Sequence, residues 1–305
     1  MKPCLSLFIV LLLSSCNTYK FASHHTAHVL EKNGLTFHTL ETEKYKITYW
    51  DSGSEKPVLI LIHGFGTSGK FQWFKQASEL SNRYRLVIFN MLYFGSKPKT
   101  PVYTVEGQSA AVEELLEHLH IDSYYLCGTS YGGLVAAELA LKYPGRIKKL
   151  VLMDVPLKYL TEQDVKKVCE QYKIPDQEEL FVPSNPGMLK KLLNITYVRK
   201  SKMPVFLIRS FYNNTYEEEK DNLRKIYESL LKENTVFNSK NYHFKMPVLL
   251  VWGESDRLVP VHVGQQLKEE LGANAQLEIV PHAAHLPNLE NDKTVNKLLI
   301  SFLSR

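Results

Sequence analysis

The chain has 305 residues, 44% of them hydrophobic and 23% charged, with 37 Lys+Arg against 32 Asp+Glu for a formal net charge of +5. With 15 Gly, 14 Pro and neither a charge block nor a low-complexity tract, a disordered or collagen-like chain is excluded, and the mild basicity gives no reason to expect nucleic acid as a partner. The length suits two domains or one large α/β domain carrying an insertion.

At the start, Lys2 precedes an apolar run over residues 5–13, followed by Leu13-Ser14-Ser15-Cys16. The run is too short to span a bilayer. A basic start, an apolar stretch and small residues form a secretory signal, and a cysteine directly after the small pair resembles the lipobox of bacterial lipoproteins. That resemblance implies removal of residues 1–15 and lipidation of the Cys16 thiol as a membrane anchor. With Asn17 rather than Asp next, it further implies an outer-membrane place in the cell envelope. A plain signal peptide, or an uncleaved anchor with an incidental cysteine, is the alternative. Residues 16–34 read as a tether. Cys4 leaves with the signal and Cys16 takes the lipid, so Cys127 and Cys169 remain, both expected as free thiols; Cys127 lies in an apolar strand as a small hydrophobe.

From residue 35, apolar runs alternate with amphipathic helical patterns, the signature of a mostly parallel sheet covered on both faces. Residues 35–40 and 45–50 read as an antiparallel hairpin. The run Val58-Leu59-Ile60-Leu61-Ile62 is continuously apolar, as expected for a strand buried on both faces. A helix follows, then a strand over 86–89, a helix over 104–120 with Val112, Leu115, Leu116 and Leu119 at helical spacing, and a strand over 124–127. Next come a helix over 134–143, stopped by Pro144-Gly145, and a strand over 149–153. The alternation breaks at Val155-Pro156 and resumes at 247–252. Residues 156–245 are therefore expected to be an inserted helical cap between two parts of one core, 35–155 and 246–305. Inside the cap lie a charged helix pattern over 216–232 and a basic stretch, Lys190, Lys191, Arg199, Lys200 and Lys202, among Leu192, Tyr197, Phe206 and Phe211. A helix, a strand over 276–280 and a last helix with Val295, Leu298, Leu299 and Phe302 on one face complete the chain.

Three motifs fall at strand ends. In Gly128-Thr129-Ser130-Tyr131-Gly132-Gly133, between a strand and a helix, a sharp turn would push the Ser130 hydroxyl clear of the sheet while the flanking glycines relieve crowding. The bland reading is a Gly/Ser turn without chemistry. In His63-Gly64-Phe65-Gly66, small residues let the loop curl so that the Phe65 N–H, together with the Tyr131 N–H at the start of a helix, can face a carbonyl oxygen as an oxyanion hole. His63 reads as a brace for that loop, with Gly64 giving it room, rather than as an acid or base. The third is Gly253-Glu254-Ser255-Asp256-Arg257-Leu258-Val259-Pro260, followed by Pro281-His282-Ala283-Ala284-His285-Leu286-Pro287-Asn288-Leu289-Glu290.

The order Ser, Asp, His along these motifs resembles that of α/β-hydrolase-fold serine hydrolases with a helical cap, and the resemblance covers residues 35–305. It implies an α/β fold with a mostly parallel sheet flanked by helices. It also implies Ser130 as nucleophile, Asp256 as acid and His285 as base, working through an acyl-enzyme. His282 competes for the base, but Pro287 and Glu290 match the family pattern after His285. Asp154, at a strand end some relatives use, competes for the acid, but the context of Asp256 favours it. A serine nucleophile separates the chain from epoxide hydrolases and haloalkane dehalogenases, which carry aspartate there. Carbon–carbon hydrolases of this fold usually read Asn-Ser-Met and carry a tryptophan after the histidine, where this chain has Thr129-Ser130-Tyr131 and Leu286. The loop Asn90-Met91-Leu92-Tyr93-Phe94-Gly95-Ser96 departs from the family's Asp-x-Pro-Gly-x-Gly-x-Ser, which leaves its backbone open. The apolar cap residues resemble those of membrane-associated monoacylglycerol lipases and related bacterial lipases, implying a lipid or small-ester substrate; packing of the cap onto the sheet would use the same residues. A carbon–carbon hydrolase and a non-catalytic ligand-binding lipoprotein remain the alternatives. Neither a metal-ligand cluster nor a dinucleotide fingerprint occurs, so no cofactor is expected.

Overall fold

The computed structural model describes residues 18–304. The signal and Cys16 lie outside the described residues. Where a tether is expected, helix α1 (Thr18–Lys32) forms instead. Only Thr26 and Leu30 of this helix are buried, so its sequence shows little apolar periodicity. Its end is a Schellman turn: Leu35 N–H donates to Leu30 O and Gly34 N–H to Glu31 O, with Gly34 at φ 84°. Leu30 and Leu35, both buried, close the hydrophobic contact that accompanies this motif.

The chain then enters a sheet: β1 (Thr36–Glu41), β2 (Tyr45–Asp51), β3 (Val58–Ile62), α2 (Gly69–Leu80), β4 (Arg85–Phe89), the short β5 (Lys97–Pro98), α3 (Val105–His118), β6 (Tyr124–Thr129), α4 (Tyr131–Lys142) and β7 (Ile147–Met153). The hairpin is antiparallel, pairing Thr36 with Asp51 and Glu41 with Lys46. After the inserted helices come β8 (Val248–Gly253), α10 (Val261–Leu271), β9 (Ala275–Val280), the short α11 (Pro287–Glu290) and α12 (Asp292–Ser304). Strand order is β1-β2-β4-β3-β6-β7-β8-β9, with β5 beside β2, and every pair from β4 to β9 is parallel. The continuous apolar runs have the cause anticipated from sequence. Ile60 and Ile62 of β3 pack on one face with Leu150, Leu152, Leu250 and Trp252, while Leu59 and Leu61 pack on the other with Val151, Met153, Leu249 and Val251. Successive strand residues point to opposite faces, so a strand covered on both sides must be apolar throughout.

Helix α4 begins at Tyr131, three residues before the apolar pattern suggests, because Tyr131-Gly132-Gly133 form its first turn. Between β7 and β8, the described residues contain helices and no strand: α5 (Glu162–Tyr172), α6 (Gln177–Phe181), α7 (Pro186–Thr196), α8 (Val205–Tyr212), a π-helical turn (Asn213–Glu217) and α9 (Lys220–Ser239). Their starts follow capping chemistry. Thr161 and Asp164 form a reciprocal capping box, and the Asp176 and Asn185 side chains accept from the first amides of α6 and α7. The charged pattern over 216–232 appears as α9, displaced to Lys220–Ser239, with Tyr216 in the wider π turn before it. Cys127 and Cys169 are free and buried.

Candidate active site

Ser130 stands between β6 and α4 with φ 51° and ψ −121°, a backbone that side chains rarely adopt. The turn is held by Ser130 N–H donating to Met153 O (2.8 Å) and Gly133 N–H to Ser130 O (2.8 Å). The two glycines are required by close approach of backbone. A Cβ on Gly128 would lie 2.7 Å from the Gly132 carbonyl carbon, and one on Gly132 would lie 2.7 Å from Ile62 O and overlap His63 O. Strand, elbow and helix thus meet at backbone contact distance, which only glycine allows.

His285 and Asp256 arrive from two later loops. His285 Nε2 lies 2.9 Å from Ser130 Oγ, and His285 Nδ1 lies 2.8 Å from Asp256 Oδ2. Because the carboxylate can only accept, Nδ1 carries the proton and Nε2 is left to accept from the serine hydroxyl. The Asp256 side chain is fully buried. Its other oxygen accepts from the Leu258 and Val259 amides at 2.8 and 3.0 Å, which fixes the carboxylate's orientation. The two competitors are placed differently. His282 is exposed, and its N–H donates to Glu254. Asp154 lies behind the pair, wholly buried, with Oδ1 accepting from Gly253 N–H and Oδ2 unpartnered among the described residues. Burial first, and the Asp256 charge second, raise the Asp154 carboxyl well above the usual carboxylate range. Asp154, Asp256 and His285 offer three donor atoms within 4.8 Å of one another. His285 and Asp256 are, however, bonded to each other, the second Asp256 oxygen is taken by two amides, and Asp154 Oδ1 is taken by Gly253 N–H.

His63 braces the neighbouring loop. It is fully buried, its Nδ1–H donates to Gly64 O (2.7 Å), and its Nε2 accepts from Met91 N–H (3.0 Å). Burial pushes the imidazole down to about 4, so it stays neutral and keeps one tautomer. A Cβ at Gly64 would stand 3.5 Å from Ser130 Cβ, so this loop lies against the elbow. The Phe65 and Tyr131 rings meet edge to face at 5.8 Å. Among the described residues, neither the Phe65 nor the Tyr131 backbone N–H has a protein acceptor. The departing loop over 90–96 is ordered by distant side chains. Asn90 donates to Thr48 Oγ1 and accepts from Gly69 N–H, Gln108 bonds both the N–H and the carbonyl of Leu92, and Ser96 donates to Asn90 O.

Sequence reasoning did not find the ties between inserted helices and catalytic loops. His285 N–H donates to Thr196 O (3.0 Å), Arg257 Nη1 to Tyr197 O (3.1 Å), and Glu290 accepts from both Ala284 N–H (2.7 Å) and Val198 N–H (2.8 Å). Tyr216, in the π turn, presses its hydroxyl over Gly66, where any Cβ would overlap it. The spacing of Glu290 after His285 is visible in the sequence; its partner Val198, from the inserted helices, is not.

Above Ser130 and His285 lies a cavity of about 630 Å³. Its walls are chiefly apolar, with Phe71, Leu192, Leu193, Ile208, Phe211 and Leu258 among them, and Ala22, His25 and Thr26 of α1 on one side.

Residues 57–292 match the family described as the alpha/beta hydrolase fold. The chain is similar to a 2-hydroxy-6-oxononadienedioate/2-hydroxy-6-oxononatrienedioate hydrolase of Paraburkholderia phymatum, 28% identical over 85% of this chain and 91% of that protein. It is also similar to monoacylglycerol lipase ABHD6 of Homo sapiens, 24% identical over 89% of this chain and 83% of that one. Among solved structures, a membrane phospholipase A described as a bacterial virulence factor superposes with a TM-score of 0.80 at 25% identity, covering 100% of this chain and 98% of its own. A family match over most of the chain, on a parallel sheet of this order, leads to one assignment: the chain belongs to the α/β-hydrolase fold family.

Proposed function

We propose that the protein is a serine hydrolase of carboxylic esters, acting on acylglycerol or other lipid-like acyl esters through an acyl-enzyme on Ser130. The observation that carries this reading is the unbroken line of hydrogen bonds from Ser130 Oγ through His285 to Asp256, at 2.9 and 2.8 Å, in the floor of an apolar cavity. A serine hydroxyl is a weak nucleophile until a neighbouring base takes its proton. His285 Nε2 accepts that proton as Oγ attacks the ester carbonyl carbon, and Asp256 steadies the imidazolium. The Phe65 and Tyr131 amides, each worth about 10²–10³ in turnover, receive the oxyanion. His285 then protonates the departing alkoxide, and a water activated by the same nitrogen releases the acid and restores Ser130.

Similarity to relatives named as a monoacylglycerol lipase and a phospholipase supports the lipid reading. Similarity to relatives named as dioate hydrolases supports a second reading, carbon–carbon bond hydrolysis on the same serine. A dioate carries two carboxylates, and such a substrate calls for cationic partners. In this cavity the lining cation Lys75 is already engaged with Leu289 O and Asp292, so the ester reading is the better fit. For placement, we propose that Cys16 is lipidated after removal of residues 1–15 and tethers the enzyme in the bacterial cell envelope, at the outer membrane. Hydrolysis of p-nitrophenyl butyrate by the wild type and by Ser130→Ala tests the chemistry. Turnover should fall to background in the variant, and a folded wild type as inactive as the variant would overturn the ester reading.

A further inference from the structure

Among the described residues, eight large hydrophobic side chains are strongly exposed, and four of them share one face: Phe21 (76%), Met203 (37%), Val205 (40%) and Phe206 (47%). Phe21 belongs to α1, and the other three lie at or just before the start of α8. The two helices are joined side by side. Thr18 Oγ1 donates to Leu207 O and Tyr19 N–H to Ser210 Oγ, both at 3.2 Å, and the Tyr19 ring sits 5.6 Å from that of Phe211. This face borders the cavity: Ala22 of α1 and Met203 line it, and Met203 is also open to solvent.

The charge of the same face is predominantly basic, with Glu217 and Glu218 at its border, the latter close enough for its charge to act on Tyr19. Residues 18–30 and 199–216 contain no Asp or Glu, yet they carry Lys20, Arg199, Lys200, Lys202 and Arg209, all exposed. None of the five takes part in an ion pair among the described residues. An apolar knob flanked by unpaired cations matches a boundary where hydrocarbon lies beneath a layer of phosphates.

We infer that this face docks on an anionic lipid bilayer, with Phe21, Val205 and Phe206 entering the interface and the five cations meeting lipid phosphates. The mouth of the cavity is then applied to the bilayer, so a lipid ester reaches Ser130 without crossing water. This last step rests on the proposed ester chemistry; the docking does not.

The three native tryptophans, Trp50, Trp73 and Trp252, are all buried, so an added one reports its own surroundings. Full-length Ser130→Ala protein carrying Phe206→Trp, or Ile279→Trp on the edge strand β9, is mixed with vesicles of phosphatidylcholine alone or with 30 mol% (about one lipid in three) phosphatidylglycerol. The expected result is a blue shift and quenching by brominated acyl chains for Phe206→Trp on the anionic vesicles, and neither for Ile279→Trp. Adding Lys200→Glu and Lys202→Glu should weaken binding to those vesicles by at least about 30-fold, since each basic residue contributes on the order of a tenfold or smaller factor and reversal adds repulsion. Unchanged Phe206→Trp emission with protein bound to vesicles, or equal quenching at both positions, overturns the inference. So does a blue shift that grows with protein concentration without vesicles, which would mark a second copy as the occupant. Because the protein lacks Ser130, a failure of the ester chemistry can neither produce nor abolish the readout, and the same measurement on a Cys16→Ala form separates docking of this face from any anchor at that cysteine.

Discussion

Acidification from pH 7 to pH 4 should cost the folded chain about 3 kcal/mol through His63 alone. In the unfolded chain this imidazole takes a proton near 6.5, whereas burial lowers it to about 4 in the folded protein. Its Nε2 is also committed as an acceptor from Met91 N–H, so a second proton there would face a donor. The sign follows: above 6.5 neither state is protonated and nothing is lost. As the pH falls through 6.5 the unfolded state gains a proton that the folded state cannot take, and stability declines until about pH 4. The assay is urea unfolding at pH 7, 5.5 and 4, followed by fluorescence of the buried tryptophans, for the wild type and His63→Gln. The variant is less stable at pH 7, having lost the bond to Met91 and some packing. Its decline from pH 7 to pH 4 should nevertheless be shallower than that of the wild type by about 3 kcal/mol, because the remaining titrating groups are shared. Parallel declines would refute the reasoning.

Asp256→Asn should lower kcat on p-nitrophenyl butyrate by about 10⁴, since the Leu258 and Val259 amides claim the one remaining oxygen and the NH2 then faces Nδ1 as a donor, which reverses the tautomer. Asp154→Asn should stay within about tenfold and melt at a higher temperature at neutral pH. A carboxyl raised in the folded state costs stability wherever the unfolded chain ionises it, and asparagine removes that cost while still accepting from Gly253 N–H. Gly132→Ala should cost about 3 kcal/mol or more, seen as a large drop in melting temperature, because Ile62 O and His63 O are backbone and cannot yield. Gly64→Ala, whose Cβ meets Ser130 Cβ at an ordinary 3.5 Å, should melt close to the wild type. Glu290→Gln loses one of its two acceptor bonds, to Ala284 or Val198 N–H, and steady-state kinetics should show kcat lowered and KM raised together by severalfold, since the His285 loop and the cavity wall move as one.

The parts of this protein that were legible in sequence are those whose cause is local. A strand covered on both faces must be apolar at every position, so β3 and β8 declared themselves; a turn built at backbone contact distance must use glycine, so the elbow did too. The order of Ser130, Asp256 and His285 could be read because each follows a strand and the strands are parallel. What could not be read depends on partners far along the chain. Helix α1 buries only Thr26 and Leu30 in its own span and is held through α2 and α8, so no periodicity marked it. The loop over 90–96, whose sequence departs from the family pattern, is set by Thr48 and Gln108. Glu290 was visible as a spacing, but Val198, the group it reaches, lies in a segment whose path over the sheet has no local signature.

The π-helical turn at Asn213–Glu217 sets the angular phase between α8 and α9. In an α-helix each residue advances the direction of the side chain by about 100°, so deleting a single residue there would restore α-helical pitch and swing Tyr216 off Gly66 by roughly a quarter turn or more. The roof over Ser130 is therefore indexed by a count of residues, and one codon lost from this turn would re-aim it without altering Ser130, Asp256 or His285 in the sequence.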